Sequence, residues 1–262
     1  MELHQHLICL AINFGYKKGL QTIMRRDKRP YLLKKADLQF QEFYVRHFIK
    51  PQLDHLGQGF TFMKPWYVKF FGDPIRLGQS INIVATPDAI VRLSVWSDQK
   101  NREGIRIGDF CLICPGVRLH AASSIRIGDN CMIAQGAYIT DSDWHDIYNR
   151  IDSGKPEPVT IAENVWIGDG AVICKGVTIG ENSIIGAGSV VVHSIPPNSV
   201  AAGNPAKVMK TLDQNEKLVK RDHWFENPER LSAQIDALDQ KMLSGNTLFT
   251  WFRSLLFPSV DD

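Results

Sequence analysis

The sequence lacks a long hydrophobic run and a regular cysteine pattern. None of its apolar stretches reaches the roughly eighteen residues of a membrane-spanning helix. Residues 7–13 are apolar but have neither a basic flank nor a cleavage site of small residues. The 262 residues include 5 cysteines, an odd number that does not fit the disulfide framework of a secreted domain. We therefore expect a cytoplasmic protein.

The sequence also lacks an excess of charge of one sign. Its formal net charge is +2 and is spread along the chain, which argues against nucleic acid as a partner. Residues 16–35 are locally basic, a pattern typical of a solvated helical face. Cys111 and Cys114 have the spacing of a metal or redox motif, but no second pair accompanies them. We interpret both as packing residues and expect no metal.

What the sequence does contain is a hydrophobic repeat with a period of six residues. Neither a helix nor a strand has this period. A solenoid has it when each six-residue segment forms one side of a prism and three sides close one coil. Large aliphatic residues recur at Ile107, Ile113, Leu119, Ile127, Ile133, Ile139, Ile161, Ile167, Ile173, Ile179, Ile185 and Val191.

Two further positions of the repeat support a prism. A small residue commonly follows the aliphatic one, as at Gly108, Ala134, Gly168, Gly180 and Gly186. A second small or β-branched residue follows three positions later, as at Cys111, Val117, Cys131, Ala137, Val165, Ala171 and Val177. We expect the aliphatic residues to stack inward from coil to coil and the small residues to let the backbone turn the corners.

The repeats at residues 127–132 and 179–184 resemble those of the hexapeptide-repeat acyltransferases. The stretch 159–210 is most similar to the branch that contains the galactoside, maltose and xenobiotic O-acetyltransferases. The resemblance covers residues 105–210. It implies a mainly β protein built as a left-handed parallel β-helix, with acetyl-CoA as the co-substrate. It also implies a homotrimer of parallel prisms with the active site between subunits.

We predict three segments along the chain. Residues 1–72 form a mixed N-terminal cap with a helix near 37–50, and residues 73–210 form the β-helix. Residues 211–262 form a helical extension with helices at 213–225 and 228–244, the second capped by Asn227 and stopped by Gly245. The aromatic tail at 248–257 predicts docking on another subunit, with contact to a membrane surface as the alternative.

The repeat breaks twice. Between Leu119 and Ile127 two extra residues bulge from a corner. Between Ile139 and Ile161 the spacing is far longer, so residues 141–158 must leave the prism as a loop. A long polar loop on a rigid solenoid commonly carries function.

The loop contains the candidate general base. Acyl transfer to a hydroxyl needs a group that accepts the hydroxyl proton, and a histidine suits this role at neutral pH. Of the 8 histidines, His145 alone lies on the loop. The resemblance also implies a catalytic histidine at this place. Asp143 is the candidate carboxylate that orients the His145 ring.

The resemblance implies the donor site residue by residue. Trp166 would line the active site, Asp169 and Gly170 would approach the pantetheine arm through their backbone, and Ala187 would lie beside the same arm. Val192, His193 and Lys210 would lie near the nucleotide end. His193 stands where the family has a lysine, and Lys207, Lys210 or Lys175 could supply the missing charge.

For the acceptor, aromatic and charged loop residues are the candidates, because sugar rings pack on aromatic faces and bond to charged side chains. These are Asp141, Trp144, Tyr148 and Arg150, together with Arg118 and His120 from the preceding coil. Residues 117–122 lack the asparagine that the resembled sugar acetyltransferases use there. We therefore expect a sugar or glycoconjugate acceptor without inferring galactosides or maltose.

Two other function classes fit a prism of this kind. A γ-carbonic-anhydrase-like zinc enzyme needs paired histidines on neighbouring coils, and His120, His145 and His193 lack that spacing. A non-catalytic binding or scaffold protein would not be expected to keep the loop histidine or the donor channel. An amine acceptor in place of a hydroxyl stays open.

Overall fold

The computed structural model describes residues 27–97, 102–213 and 215–257. The chain divides into two compact units, Lys35–Ala237 and the combination of Met1–Lys34 with Leu238–Asp262. None of the helices in the described ranges combines the length and the apolarity that a membrane crossing requires. The basic stretch predicted at 16–35 lies partly outside the described residues.

The larger unit is a parallel β-helix with three sheets as its faces. Sheet A contains β1 (His55–Leu56), β4 (Ile75–Leu77), β7 (Gly104–Ile107), β10 (Ser124–Ile127), β13 (Val159–Ile161) and β16 (Thr178–Ile179). Sheet B contains β2 (Thr61–Met63), β5 (Asn82–Val84), β8 (Leu112–Ile113), β11 (Met132–Ile133), β14 (Trp166–Ile167), β17 (Ile184–Ile185), β19 (Ser199–Gly203) and β20 (Ala206–Thr211). Sheet C contains β3 (Val68–Phe71), β6 (Val91–Val95), β9 (Arg118–Ala121), β12 (Tyr138–Thr140), β15 (Val172–Ile173) and β18 (Val190–Val191).

The core is a column of aliphatic side chains stacked in register. On sheet A, Ile107, Ile127, Ile161 and Ile179 are directly paired from strand to strand, and all are at most 3% exposed. The six-residue repeat is therefore confirmed as the inward row of each face. Burying one such side chain stabilises the fold by about 1.5–3 kcal/mol. Successive residues alternate between the core and the outer surface, as strands require.

The corner from sheet A to sheet B is built from asparagines in the left-handed region. Asn130, Asn164, Asn182 and Asn198 have φ between 55° and 61°, a conformation that asparagine tolerates better than most residues. The Asn164 Nδ2 donates to Asn182 Oδ1 at 2.9 Å, and Asn182 Nδ2 donates to Asn198 Oδ1 at the same distance. This ladder ties successive coils together along one edge.

A small residue follows each aliphatic one because the backbones of successive coils approach closely at this position. A Cβ on Gly168 would lie 2.6 Å from the backbone nitrogen of Ala187 in the next coil. A side chain there would push the coils apart. This requirement explains why the sequence repeats glycine or alanine at that position.

The prism begins earlier in the chain than the sequence indicated. The structure assigns residues 55–71, which we expected in the cap, to the first coil, because β1, β2 and β3 pair in parallel with β4, β5 and β6. Aromatic residues such as Phe62 fill the inward position in place of the small aliphatics. Since the six-residue pattern is read from isoleucine, leucine and valine, it does not register this coil.

Helix α1 (Tyr31–Tyr44) continues as a π-helical turn, Val45–Ile49, and a short 3-10 turn, Lys50–Gln52, that contains Pro51. Helix α2 (Pro228–Met242) begins where Asn227 Oδ1 accepts the backbone N–H of Arg230 at 2.9 Å, which confirms the expected cap. Helix α3 (Leu248–Leu256) follows Gly245, whose φ is +85°. Apolar side chains of α3 are exposed, and the docking of this tail stays a prediction.

The helix predicted over 213–225 is wrong apart from one 3-10 turn, Arg221–Phe225. Arg221 donates to the Phe110 carbonyl and to Asn82 Oδ1, both at 2.7 Å, and the Asp222 backbone N–H donates to Asn130 Oδ1 at 2.7 Å. The segment thus bonds to atoms of the prism. Those tertiary contacts override its local preference for a helix.

The stacked core predicts a strong contrast between neighbouring residues of one strand. Ile105 is fully buried and Arg106 points to solvent. We expect Ile105→Ala to lower the free energy of unfolding by about 2–5 kcal/mol, because it leaves a cavity between coils. Arg106→Ala should change it by no more than about 0.5 kcal/mol. Urea unfolding followed by circular dichroism measures both; equal effects would contradict the inward assignment.

Candidate active site

Both breaks in the six-residue repeat leave the prism at one edge. The chain departs from the regular coil between β9 and β10 and between β12 and β13. Each of these connections runs from sheet C to sheet A, and we call this the C–A edge. The long loop at 141–158 is the larger of the two. The sequence could have predicted that the breaks share an edge. With three six-residue segments per coil, each break follows the third segment of its coil.

Asp141 anchors the loop at its first residue. Its carboxylate is fully buried and accepts three backbone N–H groups of the neighbouring bulge, from Ala122, Ser123 and Ser124, at 2.6–2.7 Å. This geometry gives Asp141 a structural role and leaves it no exposed atom for the substrate contact we expected. A buried carboxylate is stable here because charge-assisted hydrogen bonds replace its hydration.

Lys175 closes the stem of the loop from the next coil. Its Nζ lies 2.5 Å from Asp143 Oδ2 and 3.8 Å from Glu157 Oε1, so it bridges the two ends of the loop. The hydrogen bond with Asp143 raises the pKa of Lys175. The Asp143 carboxylate is thereby held on a lysine, and it makes no hydrogen bond with His145 in the described structure. Sequence reasoning named Lys175 only as a possible phosphate contact.

His145 itself is exposed on a tightly folded part of the loop. The preceding Trp144 has a φ of +67°, a strained value for a bulky side chain. Gly154 packs against the same place, since a Cβ there would lie 2.8 Å from the His145 carbonyl oxygen. Asp146 accepts the backbone N–H groups of Tyr148 and Asn149 at 2.8 and 2.9 Å. These contacts fix the backbone and leave the imidazole free to meet a ligand.

An aromatic wall lies beside His145 on the outer face of sheet C. The His120 ring makes edge contacts with Tyr138 at 5.3 Å and Trp144 at 6.4 Å between centroids. The Arg118 guanidinium lies 4.5 Å from the Tyr138 ring centre. Burial lowers the pKa of His120, and the charges of Arg118 and Arg92 lower it further. Tyr148 and Arg150 lie on the outer part of the loop, and both side chains are exposed.

The expected donor residues fall in two places. Trp166 lies on the outer face of sheet B and is 47% exposed. Asp169, Gly170 and Ala187 form the corner from sheet B to sheet C, which we call the B–C edge. Val192 and His193 are exposed at the C–A edge, after β18. Lys207 and Lys210 are exposed on the β19–β20 hairpin.

The B–C edge offers open backbone. Gly170 has a φ of +63°, and no atom lies within 4 Å of the position its Cβ would take. Its N–H donates to the Gln135 carbonyl at 2.8 Å, and the Gly188 N–H donates to the Asp169 carbonyl at 2.7 Å. In the described structure the N–H groups of Asp169 and Ala187 have no such acceptor. An extended ligand can therefore lie along this edge and accept from them.

The cysteines behave as packing residues. The four in the described ranges are free, with Cys111 and Cys131 buried. Burial raises the pKa of Cys114 to about 11, so its thiol stays protonated at neutral pH. Across the described ranges, no three side chains of His, Cys, Asp or Glu are grouped as a metal ion requires.

Comparison with known families identifies the repeat. The family described as "Bacterial transferase hexapeptide (six repeats)" matches residues 158–193, and "Hexapeptide repeat of succinyl-transferase" matches residues 104–141. The expected resemblance to hexapeptide-repeat transferases is confirmed, and the fold is their left-handed parallel β-helix.

Relatives of known name share part of the chain. The chain is 42% identical over 78 residues to the galactoside O-acetyltransferase of Escherichia coli, covering 30% of this chain and 36% of that protein. It is 52% identical over 67 residues to the 2,3,4,5-tetrahydropyridine-2,6-dicarboxylate N-acetyltransferase of Halalkalibacterium halodurans, covering 26% and 28%. The chain spans about a third of the length of the first curated relatives it matches.

Among solved structures, the fold is similar to AntD, an N-acyltransferase from Bacillus cereus in complex with dTDP and 3-hydroxybutyryl-CoA. The TM-score is 0.52 at 19% identity, with 72% of this chain and 96% of that chain covered. At this identity the likeness establishes the shared fold.

The Asp141 anchor makes a testable prediction about the loop. Asp141→Asn removes the charge and one acceptor, leaving buried N–H groups without a partner. We expect the free energy of unfolding to fall by about 1–3 kcal/mol and the loop to loosen. Trypsin should then cut faster after Arg150. Glu216 lies outside the coils, so Glu216→Gln is the control and should leave the cleavage rate unchanged. An unchanged cleavage rate in Asp141→Asn would refute the anchoring role.

Proposed function

We propose that this chain is an acyltransferase that moves an acetyl or other acyl group from acyl-CoA to a hydroxyl of a sugar or glycoconjugate. The observation that carries the proposal is the loop at the C–A edge, which is pinned by Asp141 and Lys175 and leaves the His145 ring exposed. Support also comes from the similarity to a galactoside O-acetyltransferase over part of the chain.

In the proposed mechanism, a neutral ring nitrogen of His145 takes the proton of the acceptor hydroxyl while its oxygen attacks the thioester carbonyl. Backbone N–H groups of the B–C edge, with Asp169 and Ala187 as candidates, hold the oxyanion of the tetrahedral intermediate. The intermediate breaks its carbon–sulfur bond, and the His145 imidazolium returns the proton to the leaving thiolate. The acceptor leaves as an ester, and the enzyme regains its starting state.

We propose that Asp143 acts as a positioning residue through Lys175. Its carboxylate fixes the loop stem, two residues before His145. Val192 and His193 lie on the same C–A edge as His145. They would contact the acyl donor or the acceptor that binds at that edge. Lys207 and Lys210 would supply charge toward the phosphates of CoA at the opposite side of the prism.

We also propose that the site is completed by a second copy of the chain. His145 belongs to the C–A edge, whereas Trp166 and the B–C edge lie on the other side of sheet C. A head-to-tail contact that joins the C–A edge of one prism to the B–C edge of the next would bring them together. Such a heterologous contact closes into a ring, and a homotrimer is the form the resemblance implies.

His145→Ala tests the base. We expect kcat to fall by about a hundredfold or more with little change in KM for acetyl-CoA, because proton removal is lost while donor binding is kept. Free thiol release against a panel of sugars, glycoconjugates and amines measures it. His55→Ala, on the first strand of sheet A, is the matched control and should keep the wild-type rate.

Retained activity in His145→Ala would refute the assigned base. If the wild-type protein neither turns over acetyl-CoA with any acceptor nor binds it by calorimetry, the acyltransferase proposal fails and a scaffold role replaces it. Turnover with amines alone would make the reaction an N-acylation, as in the tetrahydropyridine-dicarboxylate relative.

Mixed oligomers test the shared site. His145→Ala and Trp166→Ala should each be nearly inactive alone. When the two are co-expressed with different tags and the trimers that carry both tags are purified, about a third of the sites should be restored, because one of the three interfaces in each mixed trimer pairs an intact His145 with an intact Trp166. A site contained in one chain predicts no recovery, since every chain carries one defect.

A further inference from the structure

Three cations stand in a row on the outer face of sheet C. Lys69, Arg92 and Arg118 occupy directly paired positions on β3, β6 and β9, and all three are exposed. Neighbouring strands lie about 4.8 Å apart, so the row is about 10 Å long. We call it the sheet C basic row.

Within the part of the chain that the structure describes, the row has no acidic partner. Like charges in directly opposite positions of a sheet destabilise it. Several other cations of this unit are neutralised by carboxylates, whereas Arg76 and Arg106 on sheet A are also directly paired and likewise form no ion pair within the described ranges. Arg102 pairs with Asp73, Lys220 with Glu163 and Lys175 with Asp143. Within the described ranges, no ion pair is formed by Lys69, Arg92 or Arg118. The Arg118 guanidinium lies over the Tyr138 ring, which orients the charge without neutralising it.

Aromatic rings flank the row on the same face. Phe71 and Trp96 stack at 4.1 Å between centroids near its first strands, and both are about half exposed. Tyr138 and His120 lie at its other end, beside Trp144 and the loop of His145. From β3 to β12 the surface extends about 14 Å, which is the length of a short oligosaccharide. Exposed aromatic faces with cations between them suit sugar rings that carry negative charge.

We propose that the outer face of sheet C is the acceptor site and that it selects an anionic saccharide, one bearing a carboxylate or a phosphate. This inference rests on the proposed acyl transfer and names its substrate class. Arg92 and Arg118 bind the anionic groups, while Phe71, Trp96 and Tyr138 pack against the sugar rings. A sugar hydroxyl next to His120 and Trp144 then lies within reach of the His145 loop.

The chain supplies a matched control for the row. Arg76 and Arg106 belong to the same coils as Arg92 and Arg118, are equally exposed and point outward from sheet A. Removing them changes the net charge of the protein by the same amount. A contribution of sheet C to anion binding must therefore be lost when Arg92 or Arg118 is replaced and kept when Arg76 or Arg106 is replaced.

The experiment compares sugars with and without the anionic group. Calorimetry measures the binding of tri-galacturonate against its fully methyl-esterified form, and of glucose 6-phosphate against glucose. We expect the protein to prefer one charged sugar over its neutral partner by about tenfold or more. Arg92→Gln and Arg118→Gln should each weaken that binding about tenfold, with the neutral sugar unaffected. Arg76→Gln and Arg106→Gln should bind as wild type.

Several results would overturn the proposal. One is equal binding of the charged and the neutral sugars, and another is unchanged binding in both sheet C variants. A third is an equal loss of binding in the sheet A variants, because that loss would indicate general electrostatic attraction. A preference for tri-galacturonate over its ester indicates a carboxylate site, and a preference for glucose 6-phosphate over glucose indicates a phosphate site. The binding assay needs no turnover, so loss of the proposed reaction and loss of the anion site are distinguishable. If turnover is found, the sheet C variants should raise the acceptor KM and leave kcat nearly unchanged.

Discussion

The structure depends on the stacking of aliphatic side chains from one coil to the next. Ile113, Ile133, Ile167 and Ile185 on sheet B show the arrangement, each paired with the residue above and below. Because the interior is close-packed, every coil must supply an apolar side chain at the same height. A coil of different length can keep this register only by expelling the extra residues at a corner. The loop that carries His145 is such an expulsion, so the core constrains where function can be added.

The outer surface is free of that constraint, and its three faces have diverged. Outward residues of sheet B are mainly apolar, with Leu112, Met132, Trp166 and Ile184 in one line. Outward residues of sheet C are basic and aromatic where they approach the loop. A regular scaffold thus presents chemically different surfaces at fixed spacing. In our proposal the acyl donor uses the B–C edge and the acceptor uses the outer face of sheet C beside the C–A edge, with copies of the chain supplying the complementary edge.

Much of the fold was predictable because the repeat is local and strict. The inward row, the small corner residues, the loop at 141–158 and the cap of α2 at Asn227 agree with the structure. The first coil was missed because aromatic residues replace its aliphatics, and the helix at 213–225 was wrong because Arg221 and Asp222 bond to the prism. For the site, the sequence singled out His145 but treated Asp141 as a ligand contact. Only the fold reveals that three amides from the preceding coil surround its carboxylate.

The sequence by itself determined the period, the inward residues and the place where a loop must leave the prism, since each follows from spacing along the chain. The tertiary structure decided which outward residues become neighbours. Arg92 and Arg118 are far apart in the chain, and only closure of the coil pairs them on one face. It also decided that the bulge after Leu119 and the loop after Ile139 share an edge, with Asp141 joining them. The physical reason is that hydrogen bonds between parallel strands join residues one coil apart, and no local pattern encodes that pairing.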